Sequence, residues 1–286
     1  MNQNPPVDIQ SVRDRLRDTA PGHPKRTAAA RVLSLLDAFA DRGEPLTLSE
    51  IARRADLSLT TTHRLAHEVR EWGGLDLDEE GRYCLSRKIL ELASASTEDL
   101  RIRELALPHL VDLQRRTGLT VNLSVREGHD VMYLEALRAH PNYTGQNRMG
   151  GRLPLHVTAT GLVLLANSGR QEQDEYLATP LKRYTRFTKT RPEELHETMD
   201  AARREGILRL DGAVAAGAGS IAAPVPDALG RVDVAVGAIY AHRNPEPHGL
   251  PDLVLATARR IARARSERPV LDPRTIAFNR SQAGLG

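Results

Sequence analysis

Apolar residues along the first ninety positions recur with a helical period in three successive runs. Val32, Leu35, Leu36 and Phe39 fall at i, i+3, i+4 and i+7 behind a possible Thr27 cap, and Gly43 and Pro45 close the run. Thr47-Leu48-Ser49-Glu50 then reads as a capping box, in which a threonine hydroxyl and a glutamate side chain satisfy each other's orphan backbone amides. Leu48, Ile51, Ala52 and Ala55 are the buried face of the short helix it opens. After a turn at Asp56 and Leu57, Ser58 can cap a third helix with the buried stripe Thr62, Leu65, Ala66 and Val69 and an outward face that includes Thr60, Thr61, Arg64 and His67. The period then changes to two: Leu75-Asp76-Leu77 and Arg82-Tyr83-Cys84-Leu85 flank Asp78-Glu79-Glu80-Gly81, which predicts a small hairpin. Two short helices, a tight turn, a polar outward face and a following hairpin predict a winged helix-turn-helix over 25–86.

The remaining pattern is mixed. Ser86 can cap a helix through Ile89, Leu90, Leu92 and Ala93, expected to link two domains over 87–99. A further helix carries Leu105, Leu110 and Leu113 and ends at Gly118. Strands are expected over 119–125 and 131–137 as a hairpin around Glu127-Gly128-His129-Asp130, and again over 220–225 and 231–239. Thr190-Arg191-Pro192-Glu193 offers a second capping box for a helix that Gly206 can end, and a last helix spans 251–265. Runs of strands and helices without regular alternation predict an α+β domain with an antiparallel sheet over 100–270. The four prolines of 1–24 suggest a flexible extension, and 271–286 is read as a tail.

Composition narrows the function. At 286 residues the chain is long enough for two cores, and a single cysteine, Cys84, excludes a disulfide framework or a cysteine-rich zinc module. No stretch approaches the length and hydropathy of a membrane span or a secretory signal, so a cytoplasmic protein without membrane association is expected. The net charge of +3 is a poor guide, because residues 1–90 hold equal numbers of basic and acidic side chains and phosphate binding must rest on local clusters. The basic run Arg259, Arg260, Arg263, Arg265 and Arg268 reads as a solvated helix face. His63 and His67 have the i, i+4 spacing of a metal pair, but no third ligand accompanies them, and no metal or cofactor is expected. Gly217-Ala218-Gly219-Ser220-Ile221-Ala222 matches a weak dinucleotide fingerprint whose helix Pro224 and Pro226 forbid, and no hydrolase elbow, zincin or P-loop motif occurs. An enzyme is therefore not expected.

Taken together, Leu46-Thr47-Leu48-Ser49-Glu50-Ile51-Ala52, Thr60-Thr61-Thr62-His63-Arg64-Leu65 and Gly81-Arg82-Tyr83-x-Leu85 resemble the motif helix, recognition helix and wing of the isocitrate lyase regulator (IclR) family, with Leu59 where that family often has proline. The resemblance implies a regulator that binds double-stranded DNA at a pseudo-palindromic operator as a homodimer or homotetramer, expected to repress a catabolic operon. The candidate DNA-binding residues are Lys25, Arg26, Arg53, Ser58, Thr60, Thr61, Thr62, His63, Arg64 and Arg82. Arginine can hold guanine O6 and N7 together, and threonine offers a hydroxyl and a methyl.

For the large domain the resemblance implies a GAF-like sheet with a cavity for a small-molecule effector. Gly150-Gly151-Arg152-Leu153-Pro154-Leu155-His156 resembles the family's Gly-x-x-Leu-Pro-x-His segment, and Gly219-Ser220-Ile221-Ala222-Ala223-Pro224-Val225 its Cys-x-Ala-x-Pro-Val strand. These place Leu153, Ala159, Thr160, Asp211, Gly219, Ser220, Gly237 and Ile239 at the expected pocket, with residues 142–151 as a covering loop. Gly237 and Ile239 stand where the family often has two serines, so volume freed at Gly237 and a hydrocarbon wall at Ile239 suggest an aromatic or similarly sized acid, or its amide-like derivative. A large domain that only oligomerises fits the same pattern.

Overall fold

The computed structural model describes residues 26–40, 44–94, 97–139, 148–241 and 247–267. The chain divides into two compact units between Thr97 and Glu98. Lys25, the 1–24 extension, most of the expected covering loop and the 271–286 tail lie outside the described residues.

In the first unit, α1 (Ala28–Asp37) starts where the Thr27 hydroxyl accepts from the Ala30 amide. The capping box forms at α2 (Leu48–Ala55): Glu50 donates its amide to Thr47 Oγ1 at 3.3 Å, and the Thr47 amide donates to Glu50 Oε2 at 2.9 Å. These bonds, led by the one from the Thr47 backbone, hold the Glu50 carboxyl below its ordinary range. The turn that follows passes through Asp56 at φ 55°, the only described non-glycine residue in the left-handed region, and its side chain is exposed. Ser58 then caps α3 (Leu59–Glu71) by accepting from the Thr61 amide. Strands β1 (Leu75–Leu77) and β2 (Tyr83–Leu85) pair antiparallel, with Leu46 bridged to Tyr83 as a third element. Leu35, Phe39, Leu46, Ile51, Leu65, Val69 and Leu75 are the buried core. This is a winged helix-turn-helix. Helix α4 (Arg87–Ser94) follows and has no buried residue.

The second unit opens on α5 (Thr97–Thr117), which ends at Gly118 with φ 66°. Six strands form one antiparallel sheet in the order β5-β4-β3-β8-β7-β6: β3 (Thr120–Glu127), β4 (Asp130–Leu137), β5 (Arg152–Pro154), β6 (Leu208–Asp211), β7 (Ala218–Pro226) and β8 (Val232–Ala241). Strand alternation gives the sheet two apolar faces. Val121, Leu123, Ile221, Ala223, Val234 and Val236 pack with α5 and α9 (Leu250–Ser266). On the other face Val131, Tyr133, Ala222 and Ala235 pack with α6 (Ala159–Ala166), α7 (Arg170–Leu177) and α8 (Pro192–Glu205). A 3-10 turn over Leu155–Val157 leads from β5 into α6. The fold is α+β, with a GAF-like antiparallel sheet in the second unit.

Two local expectations change. The capping box at Thr190 does not form: Arg191 is the N-cap of α8 without a side-chain bond, and Thr190 Oγ1 accepts from Arg183 instead. The helix starts one residue later than a Thr190 cap requires, with Pro192 at its first position, where a missing amide costs no helical bond. The basic run of α9 is a solvated face only in part: Arg259 and Arg263 are exposed, whereas Arg260 and Arg265 are not. Arg260 pairs with Asp112, Arg263 with Glu267, and Arg265, only 5% exposed, with Asp233 and the Val225 carbonyl.

Candidate nucleic-acid interface and effector site

Helix α3 projects a polar surface along its outward face. Thr60, His63, Arg64, His67 and Glu68 are exposed, and Thr61 is half-buried with its Oγ1 accepting from Ser58 Oγ at 2.8 Å. Arg64 Nη1 donates to Glu68 Oε1 at 2.5 Å, and His67 Nδ1 lies 3.7 Å from Glu71. The faces are set by helical period: Leu65, Ala66 and Val69 anchor the helix inward, which turns residues 60, 63, 64, 67 and 68 outward. Thr62 belongs to the inner face, contrary to its place among the candidate DNA contacts. It is fully buried, and its hydroxyl donates back to the Ser58 carbonyl at 3.0 Å.

The flanking cations differ in freedom. Arg53 is exposed in the last turn of α2. Arg26 Nη1 donates to the Ala55 carbonyl at 2.9 Å and its guanidinium lies 3.6 Å from Asp56, so it ties the chain entering α1 to the turn before α3. In the hairpin, Arg82 Nε donates to Asp78 Oδ2 at 2.9 Å and Nη2 to Glu80 at 3.1 Å. Burial alone would raise the Asp78 carboxyl, but bonds from the Arg82 backbone and side chain outweigh it and hold the group below its ordinary range. Arg82 is thus neutralised within a tip that also carries Glu79.

In the second unit, the sheet face under α6 gathers polar groups within an apolar surround. Asn122, Ser124, Thr160 and Thr120 are all buried. Asn122 pairs across to Gly237, and Gly237 to Ala222; in the next row Thr120 pairs with Ile239, Ile239 with Ser220, and Ser220 with Leu210. Ser220 Oγ donates to the Leu210 carbonyl at 3.2 Å, and Ser124 Oγ reaches Asn122 Oδ1 at 3.4 Å. The first turn of α6 lies against this row. A Cβ at Gly237 would come 2.8 Å from Thr160 Cγ2 and 3.0 Å from Asn122 Oδ1. The absent side chain is therefore replaced by a threonine methyl and an amide, not by open volume.

Family models match along nearly the whole described chain. The model for the IclR helix-turn-helix domain matches residues 28–79, and that for the bacterial transcriptional regulator IclR C-terminal domain matches 94–264. The chain belongs to the IclR family. Among its relatives, the p-hydroxybenzoate hydroxylase transcriptional activator of Acinetobacter baylyi is 31% identical over 242 residues, 82% of this chain and 88% of the relative. The HTH-type transcriptional regulator XynR of Escherichia coli is 33% identical over 159 residues, 55% of this chain and 62% of the relative. An IclR homolog from Microbacterium hydrocarbonoxydans, solved in complex with 4-hydroxybenzoate, aligns with TM-score 0.76 and 33% identity, covering 83% of this chain and 98% of that one.

In this IclR-family chain the eight expected pocket residues do not form one cluster. Thr160, Ser220, Gly237 and Ile239 share the face under α6, with Ala159 beside Thr160. Gly219 and Asp211 lie on the opposite face, because each is one residue along its strand from Ser220 and Leu210 and a single step reverses direction. There Asp211 accepts from the Tyr240 hydroxyl at 3.1 Å, and a Cβ at Gly219 would strike the Tyr240 ring at 2.3 Å. Leu153 is on the α6 face but in β5, three strands from β8, or about 14 Å by strand spacing. Asn122 and Ser124 were not among the expected residues. Their signal was available in the sequence, since polar side chains two apart between Val121, Leu123 and Val125 must share one sheet face.

A second buried polar group stands under the β3–β4 turn. His156 Nε2 faces the Lys182 carbonyl at 2.9 Å, which can only accept, so Nε2 carries the proton and Nδ1 accepts from Tyr176 Oη at 2.8 Å. Tyr176 Oη in turn accepts from the His156 amide. Burial lowers the His156 pKa and pushes Tyr176 up to about 12, so both are neutral at pH 7. With every polar atom of the pair engaged, this is a latch that fixes the turn before α6.

Proposed function

We propose that the protein is a ligand-responsive transcriptional repressor of a catabolic operon, in which α3 reads DNA and the sheet face under α6 binds an aromatic carboxylic acid or a derivative of similar size. The observation that carries the reading is the pairing of two surfaces in one chain. One is a capped helix with an unburied polar face; the other is the sheet face under α6, where the buried Asn122 and Thr160 and the half-buried Ser220 are set among apolar groups. Buried polar groups of this kind are available to orient a ligand that is otherwise held by apolar contact. Ile239 supplies hydrocarbon beside them, and the two relatives whose names concern hydroxybenzoate chemistry support an aromatic acid. Asp211, Gly219 and Leu153 are left out of this site.

One recognition helix spans too few base pairs for a unique operator, so we take the active form as a two-fold dimer, alone or paired, in the cytoplasm. Titration of the full-length protein with 4-hydroxybenzoate and benzoate against glyoxylate and pyruvate tests the effector class. A melting temperature raised by the aromatic acids alone is expected; tighter binding of the small keto acids overturns it. Transcription from the bound promoter with and without effector tests repression.

A further inference from the structure

Glu68 is out of place on a surface that meets DNA. A duplex carries one negative charge per about 1.7 Å of axis, so a carboxylate facing it opposes binding. Its pairing with Arg64 does not explain it through stability, because the two side chains are 61% and 53% exposed and exposed pairs contribute little. The order is also the less favourable one for a helix, with the cation N-terminal to the anion.

The geometry of the pair points elsewhere. Glu68 Oε1 engages Nη1 of Arg64 alone, which leaves Nε and Nη2 for the side-on edge that holds guanine O6 and N7. Bound at the Nη1 end, the carboxylate lies beside that reading edge and does not cover it. His63, Arg64, His67, Glu68 and Glu71 together line one shallow concavity on this face. A carboxylate only accepts, and the cytosine N4 amino group is the major-groove donor it suits; at adenine the N6 donor is flanked by the N7 lone pair. Resting on the reading of α3 as the base-reading helix, we propose that Glu68 is a specificity-determining residue that accepts from a cytosine N4 amino group next to the guanine held by Arg64. The couple would then read two neighbouring positions, and the charge penalty would fall on all competing sequences.

The test is selection of binding sites from a randomised duplex library by the full-length wild-type protein, Glu68→Gln and Arg64→Ala. Wild type is expected to enrich guanine and cytosine at neighbouring positions of each half-site. Glu68→Gln should lose the cytosine preference by about tenfold or more and move toward adenine, whose N6 and N7 suit an amide, while the guanine preference stays. If Glu68→Gln instead tightens binding to every sequence with an unchanged motif, Glu68 is only an electrostatic brake and the proposal is overturned. Simultaneous loss of guanine and cytosine preference would also overturn it, since Glu68 would then act only by orienting Arg64. A wild-type motif that Arg64→Ala leaves unaltered would overturn the underlying reading of α3 itself.

Discussion

The outward face of α3 and the sheet face under α6 both present threonines and an amphipathic surround, yet they satisfy their polar groups at opposite ranges. On α3 every bond described runs to a residue three or four positions away: Ser58 with Thr61, Thr62 with the Ser58 carbonyl, Arg64 with Glu68. Under α6 the neighbours of Gly237 are Asn122 and Thr160, more than seventy residues distant in the chain. A face built from local bonds can change one exposed side chain at a time. A face built from distant strands transmits any change to its neighbours.

The sharpest way to break that contrast is to strike each face from behind. Leu65 is 1% exposed on the inner side of α3, and Leu65→Ala is expected to cost the first unit about 2–5 kcal/mol in thermal or urea denaturation. Arg64→Ala, its outward neighbour, should stay within about 0.5 kcal/mol of wild type in the same measurement. Comparable losses from both would mean that α3 has no free face.

On the sheet, Gly237→Val is expected to cost about 1–3 kcal/mol, because the new side chain must displace the Thr160 methyl and the Asn122 amide. It should also abolish any melting shift caused by an aromatic acid while operator binding persists. Retained stability and a retained shift would show that the close contact of Gly237 with Thr160 and Asn122 is not part of the site. For DNA, Arg64→Ala should weaken operator binding by about 1–3 kcal/mol and relax one base position, measured by mobility shift on single-base variants.

The same difference in range decides how much was legible in the sequence. The capping box at Thr47, the Ser58 cap and the hairpin around residues 78–81 are written in residues three or four apart, and all three form. The sheet's strands were legible one by one from their alternation, but the faces of their residues depend on register. Asp211 and Gly219 were drawn into the pocket by motif resemblance, although a step of one residue puts them across the sheet from Ser220. Asn122 is the converse case: alternation with Val121 and Leu123 gives its face, but its partners Gly237 and Ala136 are on other strands, so what it faces follows only from register. Thr62 falls both on the buried stripe and in the recognition-helix motif, and the helical period decides for burial.

A smaller effect concerns the latch at His156. Its pKa is lowered in the folded state by burial, from an ordinary 6.5, so the unfolded chain binds more protons as the medium becomes acidic. Its stabilising contribution is fully present above about pH 6.5 and declines as pH falls through the folded value. His109, lowered by burial and then by Arg260, acts with the same sign. Melting of the second unit should therefore fall between pH 7 and pH 5, and His156→Gln should flatten part of that slope. A melting temperature that rises toward pH 5 would contradict the neutral, doubly bonded imidazole.

The smallest expected effect is at Arg82, where the comparison of faces is most exposed to failure. By its place in the wing it reads as a phosphate contact, but its guanidinium is shared between Asp78 and Glu80, and Asp78 also accepts from the Glu80 and Arg82 amides. A cation already held by two carboxylates brings little net charge to DNA, and the tip as a whole is acidic. Arg82→Gln should thus leave the slope of log affinity against log salt unchanged, whereas removing a phosphate-binding cation lowers it by about 1. The variant should instead loosen the hairpin only slightly, as expected for an exposed pair. Glu79→Gln, which removes a charge that the hairpin does not engage in the bonds above, should strengthen binding to specific and non-specific DNA alike. A salt slope that drops by one unit in Arg82→Gln would show that the carboxylates release the guanidinium to DNA, and the wing would then join α3 as a surface whose local bonds give way on binding.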